Sequence, residues 1–282
     1  MKVNEKNFRG FERYALITGA ASGMGRVYAQ ELARMGYNLV IVDINEPNLM
    51  KTADELRTMV AALDDWRAAS KSRFNVLPLV QDLSQMDAAE IIYEKTRAND
   101  CEVEVLVNNA GLLLVNGICE IPEKKLSLIM MVHNYTPLML CRKFIPGMRE
   151  RHCGYVLNIS SLAAWMSWPV IGMYGNTKRF VKDFSRELRI ELKGSGVSVT
   201  NAYFGAVDTP LVPLKQSLRK LAHNLGFMIW PQQAVDSALK ATFKRRKGTM
   251  PGFLNHIFKP LVIIAPDWFL VWAYKKCKPY LK

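Results

Sequence analysis

Ala15-Leu16-Ile17-Thr18 runs directly into Gly19-Ala20-Ala21-Ser22-Gly23-Met24-Gly25, and that turn leads into the amphipathic stretch Arg26–Met35. A short apolar run, a glycine-rich turn and a helical pattern, in that order, form a strand–turn–helix unit. The glycines let the backbone turn sharply and approach a pyrophosphate with no Cβ in the way. The helix that follows presents unpaired N–H groups and the positive end of its dipole to the phosphates. Gly19, Ser22, Gly23, Met24 and Gly25 are therefore expected to hold a dinucleotide, in the context that fingerprint requires.

Outward from this turn, short apolar runs alternate with longer helical patterns. Ala15–Thr18, Asn38–Val42, Asn75–Val80, Val103–Val107, Tyr155–Ile159 and Val197–Ala202 predict strands. Arg26–Met35, Asn48–Leu63, Asp87–Ala98, Lys124–Arg149 and Tyr174–Lys193 predict the helices. The βαβαβ rhythm implies an α/β fold: a single doubly wound Rossmann domain whose parallel sheet is covered by helices on both faces. Crossovers should be right-handed, with ligands gathering beyond the carboxyl ends of the strands. The domain spans 10–250, with no internal repeat, and a C-terminal apolar and basic appendage occupies 251–282.

Asp43 closes the second predicted strand, 18 residues after Gly25. That is near the spacing at which an acidic side chain reaches the adenosine ribose hydroxyls. A carboxylate there repels a 2′-phosphate, so NAD(H) is favoured over NADP(H). Arg26, one residue past the turn, is the nearest basic side chain on the other side of that balance.

Composition narrows the remaining classes. With 282 residues, 50% of them apolar, the chain can bury a sizeable core. Met1–Arg13 has no apolar run of signal-peptide type, which predicts a cytoplasmic location. The five cysteines (Cys101, Cys119, Cys141, Cys153 and Cys277) make no C-x-x-C pair and read as reduced thiols. Together with four scattered histidines they form no zinc motif, so no metal is expected. The formal charge of +13 is uneven: residues 1–214 carry a net +2, and residues 215–282 carry +11, with only Asp236 and Asp267 acidic. No nucleic-acid-binding element accompanies this charge, so an anionic membrane surface or an anionic substrate fits better. Phe253–Tyr274 is rich in aromatics but broken by Pro260, Pro266 and Asp267, too short for a spanning helix. It reads either as an interfacial anchor, giving peripheral membrane contact through 253–282, or as packing against the domain or an oligomer partner.

A second constellation carries chemistry. In Tyr174-Gly175-Asn176-Thr177-Lys178 the phenol and the ammonium are four residues apart and share a helix face. A free phenol is a poor base at neutral pH, and a neighbouring cation favours its phenolate. Thirteen residues before Tyr174, Ser161 ends a predicted buried strand, where its hydroxyl would bond a substrate oxygen. Asn108-Asn109-Ala110-Gly111 closes the fourth strand in a polar turn. Asn134 sits 40 residues before Tyr174 within a helical stretch, where a lone asparagine is ordinarily a cap or kink.

Taken together, these elements strongly resemble the short-chain dehydrogenase/reductases from about Tyr14 to Leu211. The T-G-x-x-x-G-x-G turn, Asp82-Leu83-Ser84, N-N-A-G, the asparagine, the serine and Y-x-x-x-K occur in family order and spacing. The resemblance implies a catalytic tetrad of Asn134, Ser161, Tyr174 and Lys178. Tyr174 would be the acid/base, Ser161 would orient the carbonyl, and Lys178 would bind the nicotinamide ribose and depress the tyrosine pKa. Asn134 would hold a water linking Lys178 to solvent. Asp82 and Leu83 would lie at the adenine, Asn109, Ala110 and Gly111 along the cofactor cleft, and Val207 and Thr209 at the carboxamide. Ser22 leaves without a cation the place where the family usually meets a 2′-phosphate, and the family's P-G after the sixth strand is Phe204-Gly205 here. Asn158–Ser161, Trp168-Pro169, Phe184-Ser185 and Pro266-Asp267-Trp268 resemble the branch of 17β-hydroxysteroid dehydrogenases and very-long-chain 3-oxoacyl-CoA reductases, enzymes of lipid metabolism. That branch implies lipophilic substrates and membrane association, and generally NADPH, against which Asp43 stands.

The expected substrate walls are apolar: Leu112–Val115, Ala163–Trp168 and Leu211–Leu214, with Leu113, Ala163, Trp168 and Leu211 beside Ser161 and Tyr174 as candidate contacts. Leu214, Leu218, Leu221 and Leu225 share one face of a short helix in a flap over about 207–228, either mobile or packed on the core. The leading expectation is an NAD(H)-preferring oxidoreductase that interconverts a secondary alcohol and a ketone on an apolar lipid, steroid-like or acyl substrate. Its rivals are an NADPH-dependent 3-ketoacyl or 3-ketosphingoid type of reductase and a non-catalytic dinucleotide-binding membrane-surface protein. By analogy, Lys124–Arg149 and Tyr174–Lys193 would form the contact of a homodimer or homotetramer.

Overall fold

Alternation along buried strands sends successive side chains to opposite faces of a sheet, and here it divides the core in two. The computed structural model describes residues 8–63, 68–211 and 216–277. The readings on Met1–Asn7, Leu214, Lys215 and 278–282 lie outside these residues. From β1 (Tyr14–Thr18), Ala15 and Ile17 enter one core and Leu16 the other. The first core is filled by α1 (Gly23–Arg34), which follows β1, and by α2 (Glu46–Ala61), which follows β2 (Asn38–Asp43). The second receives α3 (Ala88–Ala98), between β3 (Val76–Val80) and β4 (Val103–Asn108). Helices thus cover both faces, as a parallel sheet requires.

The stretch Lys124–Arg149, read as one helix, is α4 (Glu123–Met130), a π-helical turn over Met131–Tyr135 and α5 (Thr136–Glu150) in direct succession. A π turn adds one residue to the helical repeat and is common at functional sites. This one carries Asn134, which the helical pattern alone reads as a cap or kink and the resemblance as a member of the tetrad. The chain continues through β5 (Gly154–Ser161), α6 (Gly172–Glu191), β6 (Val197–Phe204) and β7 (Ala206–Val207). Then come α7 (Gln216–Asn224), β8 (Met228–Ile229), α8 (Pro231–Phe243) and β9 (Gly248–Thr249). Two helices, α9 (Phe253–Ile264) and α10 (Asp267–Cys277), end the described chain.

The main sheet has seven parallel strands in the order β3-β2-β1-β4-β5-β6-β9, and β7 pairs with β8 apart from it. All six strands expected from the sequence are present. The seventh, β9, is two residues long and pairs only with Asn201 and Ala202 of β6, too short to leave a hydrophobic period. The winding reverses between β1 and β4, so a crevice opens beyond their carboxyl ends. Past the sheet, α9 packs on the turn Leu162–Trp165 and α10 on the turn Pro169–Ile171, with a 111° bend between the two helices at Ala265-Pro266. No single described helix is long and apolar enough to cross a membrane.

Candidate active site

The crevice is a cavity of about 840 Å³ at the carboxyl ends of β1, β4, β5 and β6. One end is the glycine turn. Gly19 and Gly23 have φ of +68° and +53°, a region L side chains rarely enter. Gly19, Ser22, Gly23 and Met24 line the cavity; Gly25 does not. Its role is packing, since a Cβ there would fall 1.9 Å from the Gly19 carbonyl oxygen. The third glycine lets α1 close onto the turn that precedes it.

The turn is braced from two sides. Asp43 ends β2 with Oδ2 accepting from Ala21 N (3.0 Å) and Oδ1 from Asn45 N (2.9 Å), which fixes its carboxylate on the cavity wall. Asn109 donates from its backbone to Thr18 Oγ1 (3.0 Å) and from Nδ2 to Thr18 O (2.9 Å), with Ala110 N adding 3.1 Å to the same hydroxyl. Asn109, Ala110 and Gly111 line the cleft as expected, and so do Asp82 and Leu83. Burial works against ionisation of Asp82, but hydrogen bonds from Ser84 and Gln85 outweigh it and hold its carboxyl below the ordinary range. Val207 and Thr209 face the glycine turn across the cavity, a Cβ at Gly23 falling 3.5 Å from Thr209. Positive-φ glycines, a helix N-terminus and a fixed carboxylate at the second strand suit a dinucleotide. Arg26 is ion-paired with Glu55 of α2, which draws its charge away from the turn.

The other end holds the reactive side chains. Ser161 closes β5 with Oγ donating to Phe204 O (3.2 Å) and accepting from Ala163 N (3.1 Å), so its rotamer is set. Tyr174 and Lys178 lie one turn apart on α6, with Nζ 5.7 Å from the phenol ring centroid. Buried Lys178 donates from Nζ to Ile159 O (2.9 Å), and desolvation lowers its pKa to about 8. Within the chain alone the Tyr174 pKa is raised, whereas the lowering expected of Lys178 was tied to a bound, oxidised nicotinamide. Burial pushes the phenol up, and the hydrogen bond with Ser161 offsets only part of that.

Asn134 does not line the main cavity. It donates from Nδ2 to Thr177 O (3.0 Å), while its buried Oδ1 has no partner within the described chain. Beside it lies a void of about 10 Å³ that Lys178 and Ile159 also line, room for about one water.

Leu113, Ala163 and Leu211 line the cavity beside Ser161 and Tyr174. Trp168 does not: it is half-buried outside, at the start of the turn Pro169–Ile171, and Met166 and Ile171 take the wall in its place. Leu112, Leu128, Val132 and Phe204 complete an apolar wall that the sequence had only partly indicated. The leucines of α7, read either as part of a mobile flap over the substrate or as packed on the core, face outward, Leu218, Leu221 and Leu225 being 49–54% exposed. The polar side of α7 is tied to Asp208 through Arg219 and through His223 (3.0 Å), and these bonds hold the Asp208 carboxyl below its ordinary range.

His133 was read only as one of four scattered histidines. It lies buried in the π turn, with Nε2 accepting from Leu112 N (2.9 Å) and Nδ1 bonded to Thr177 Oγ1 (2.8 Å). Its ring meets Tyr174 edge-on at 5.7 Å, and burial holds its pKa far below the ordinary range, so it stays neutral. Only position in the fold distinguishes it from a core histidine. Asn255 of α9 occupies the space a side chain at Gly205 would fill, 2.3 Å away, while nothing in the structure accounts for Phe204 in place of the family's proline.

Comparison with known proteins matches residues 13–219 to the family model described as short chain dehydrogenase. The chain is 30% identical over 217 residues to the diacetyl reductase ((S)-acetoin forming) of Staphylococcus epidermidis, covering 72% of this chain and 78% of that one. It is also 30% identical over 264 residues to the very-long-chain 3-oxoacyl-CoA reductase of Rattus norvegicus, covering 90% and 76%. Among solved structures, the 3-ketoacyl-(acyl-carrier-protein) reductase from Brucella melitensis complexed with NADH superposes with a TM-score of 0.69. Its identity is 25%, with 83% of this chain and 91% of that one covered.

Proposed function

This chain belongs to the short-chain dehydrogenase family, whose members work on alcohols and ketones with NAD(P), and from that premise we propose an NAD(H)-preferring enzyme for an apolar secondary alcohol or ketone. The observation that carries the reading is the convergence of Ser161, Tyr174 and Lys178 on an apolar cavity continuous with the glycine turn and Asp43. NAD(H) is favoured because Asp43 is fixed where a 2′-phosphate would lie and Arg26 is engaged by Glu55.

The bound nicotinamide would supply or take the hydride; the chain's residues handle the proton. Ser161 Oγ would turn its single proton from Phe204 O to the substrate oxygen and so stabilise developing negative charge there. A Tyr174 phenol whose pKa is raised holds its proton at neutral pH and donates it from Oη to a carbonyl being reduced. In the oxidative direction the phenolate is needed, and Ser161 and a cationic Lys178 stabilise it. Lys178, with a pKa of about 8, is mostly charged at neutral pH and close enough to neutrality to pass a proton on. A water held between Asn134 Oδ1 and Lys178 would continue that path outward.

A second reading, an NADPH-dependent 3-ketoacyl or 3-ketosphingoid type of reductase, is favoured by the similarity to the rat 3-oxoacyl-CoA reductase over 90% of the chain. Exposed Phe180 and Ile190 on α6 support a homodimer or homotetramer. The apolar, basic segment after residue 252 supports a cytoplasmic enzyme peripheral to the inner face of a membrane.

A screen of secondary alcohols and ketones with NAD(H) and NADP(H) in parallel tests the reading. Turnover at least about tenfold more efficient with NAD(H) is expected, and Tyr174→Phe should cut kcat by about 10³-fold while NADH still binds. Turnover surviving in Tyr174→Phe would remove the mechanism. A preference for NADP(H) would hand the assignment to the second reading.

A further inference from the structure

The surface around the substrate end of the cavity carries an apolar face that the fold leaves uncovered. On α9 and α10, Phe253, Ile257, Leu261, Ile264, Trp268 and Trp272 are exposed, Phe253 to 79% and Ile264 and Trp268 to 72%. Neither helix alone has the length and composition of a membrane span; the pair does, but its 111° bend rules out a straight crossing. The inner sides of the same helices are engaged. α9 packs on Leu162–Trp165 and α10 on Pro169–Ile171, turns that supply Leu162, Ala163 and Ile171 to the cavity wall. Asn255 covers Gly205 of that wall, and Leu254 lies 3.5 Å from where a side chain at Gly226 would be, just beyond the end of α7. From there the outward leucines of α7 extend the apolar face along the flap.

We propose that the α9–α10 hairpin and the outer face of α7 form one docking surface for an anionic lipid bilayer, set around the cavity mouth so that substrate enters from the lipid. The proposal rests on the apolar-substrate reading above and adds where that substrate comes from. Charge selects the occupant. Lys220, Lys275 and Lys276 are exposed on these helices, against a single acid, Asp267, in α9 and α10 and none in α7. Aromatic side chains interleaved with lysines fit the headgroup boundary, where rings sit at the interface and ammonium groups meet lipid phosphates. A second copy meeting this face in a two-fold contact would bring the same lysines together and repel.

The test uses the whole chain. Wild type is sedimented with vesicles of phosphatidylcholine alone or with about 30% phosphatidylglycerol, at low and high salt. Binding is expected on the anionic vesicles and weaker at high salt. Phe253→Glu/Trp268→Glu/Trp272→Glu should weaken it by about 100-fold with an unchanged melting temperature, and Leu218→Glu/Leu221→Glu by about tenfold. The triple variant should also turn over a long-chain ketone incorporated in vesicles about tenfold more slowly than wild type, yet match it on a short water-soluble ketone. Absence of vesicle binding by wild type, or wild-type binding by both variants, overturns the proposal. Equal losses on both ketones overturn entrance from the lipid. Self-association abolished by the triple variant, without vesicle binding, assigns the face to a second copy and also overturns it. If wild type turns over neither ketone, the enzymatic reading fails, while the vesicle result still decides the docking surface.

Discussion

Gly25→Ala separates packing from ligand contact in the cofactor turn, because Gly25 does not line the cavity. A Cβ there falls 1.9 Å from Gly19 O and 2.7 Å from Asn109 Nδ2, where real Cβ contacts exceed 3.0 Å. The obstructing Gly19 atom is backbone in a turn braced by Thr18, Asn109 and Asp43, so it cannot rotate aside. The start of α1 must therefore retreat by about 1 Å, an overpacking strain of roughly 3 kcal/mol. For a chain of this size that is a fall of about 6–10 °C in melting temperature. The same retreat moves the helix N-terminus from the phosphates, and NADH affinity should drop by about 30-fold, close to 2 kcal/mol. Differential scanning fluorimetry and calorimetric titration of NADH read the two effects. Gly172→Ala is the control: nothing lies within 4 Å of its Cβ position, so the added methyl should be neutral or stabilise α6 by about 0.5–1 kcal/mol. A Gly25→Ala protein melting within about 1 °C of wild type and binding NADH within about twofold would refute the reasoning.

Two further outcomes follow from buried groups. Lys178 has a folded pKa of about 8 against 10.5 for the ordinary side chain. Between those values the unfolded chain keeps a proton that the folded chain has released, so this group's contribution to stability rises with pH across that window and is unfavourable below it. Lys178→Met should lose that alkaline rise in melting temperature, and an unchanged slope would remove the assignment. His133→Phe leaves the Leu112 amide and Thr177 hydroxyl without their buried partner, which should cost about 1–3 kcal/mol in urea unfolding. His133 is neutral throughout, so the pH profile of turnover should keep its midpoints; a shifted midpoint would mean that the ring titrates.

Much of this site was legible because it lies where strands end. Thr18-Gly19, Asp43, Asn109 and Ser161 each close a strand with a strong apolar pattern, so their convergence follows once the strands are parallel. What stayed hidden depends on contacts with no period. The π turn that carries His133 and Asn134 is one extra residue in a helix whose apolar positions continue on either side. Trp168 was placed in the wall by proximity to Ala163, but a single turn at Pro169 sends it outward. The direction of the Tyr174 shift could not be read from an i, i+4 lysine, because burial of the phenol sets it and burial has no signature in that spacing.

The small clasp between β7 and β8 has an evolutionary consequence. Ala206 and Val207 pair with Met228 and Ile229, and Asp208 N bonds Ile229 O (3.0 Å), so both ends of the flap are pinned at one place. The free energy of closing a loop between fixed ends grows only logarithmically with its length, by about 0.6 kcal/mol per doubling. Beyond Thr209 and Pro210, which meet the glycine turn, residues between the clasp's two strands can therefore be inserted, deleted or exchanged with little effect on the seven-stranded sheet. The segment between β7 and β8 is where grafting or randomisation should begin.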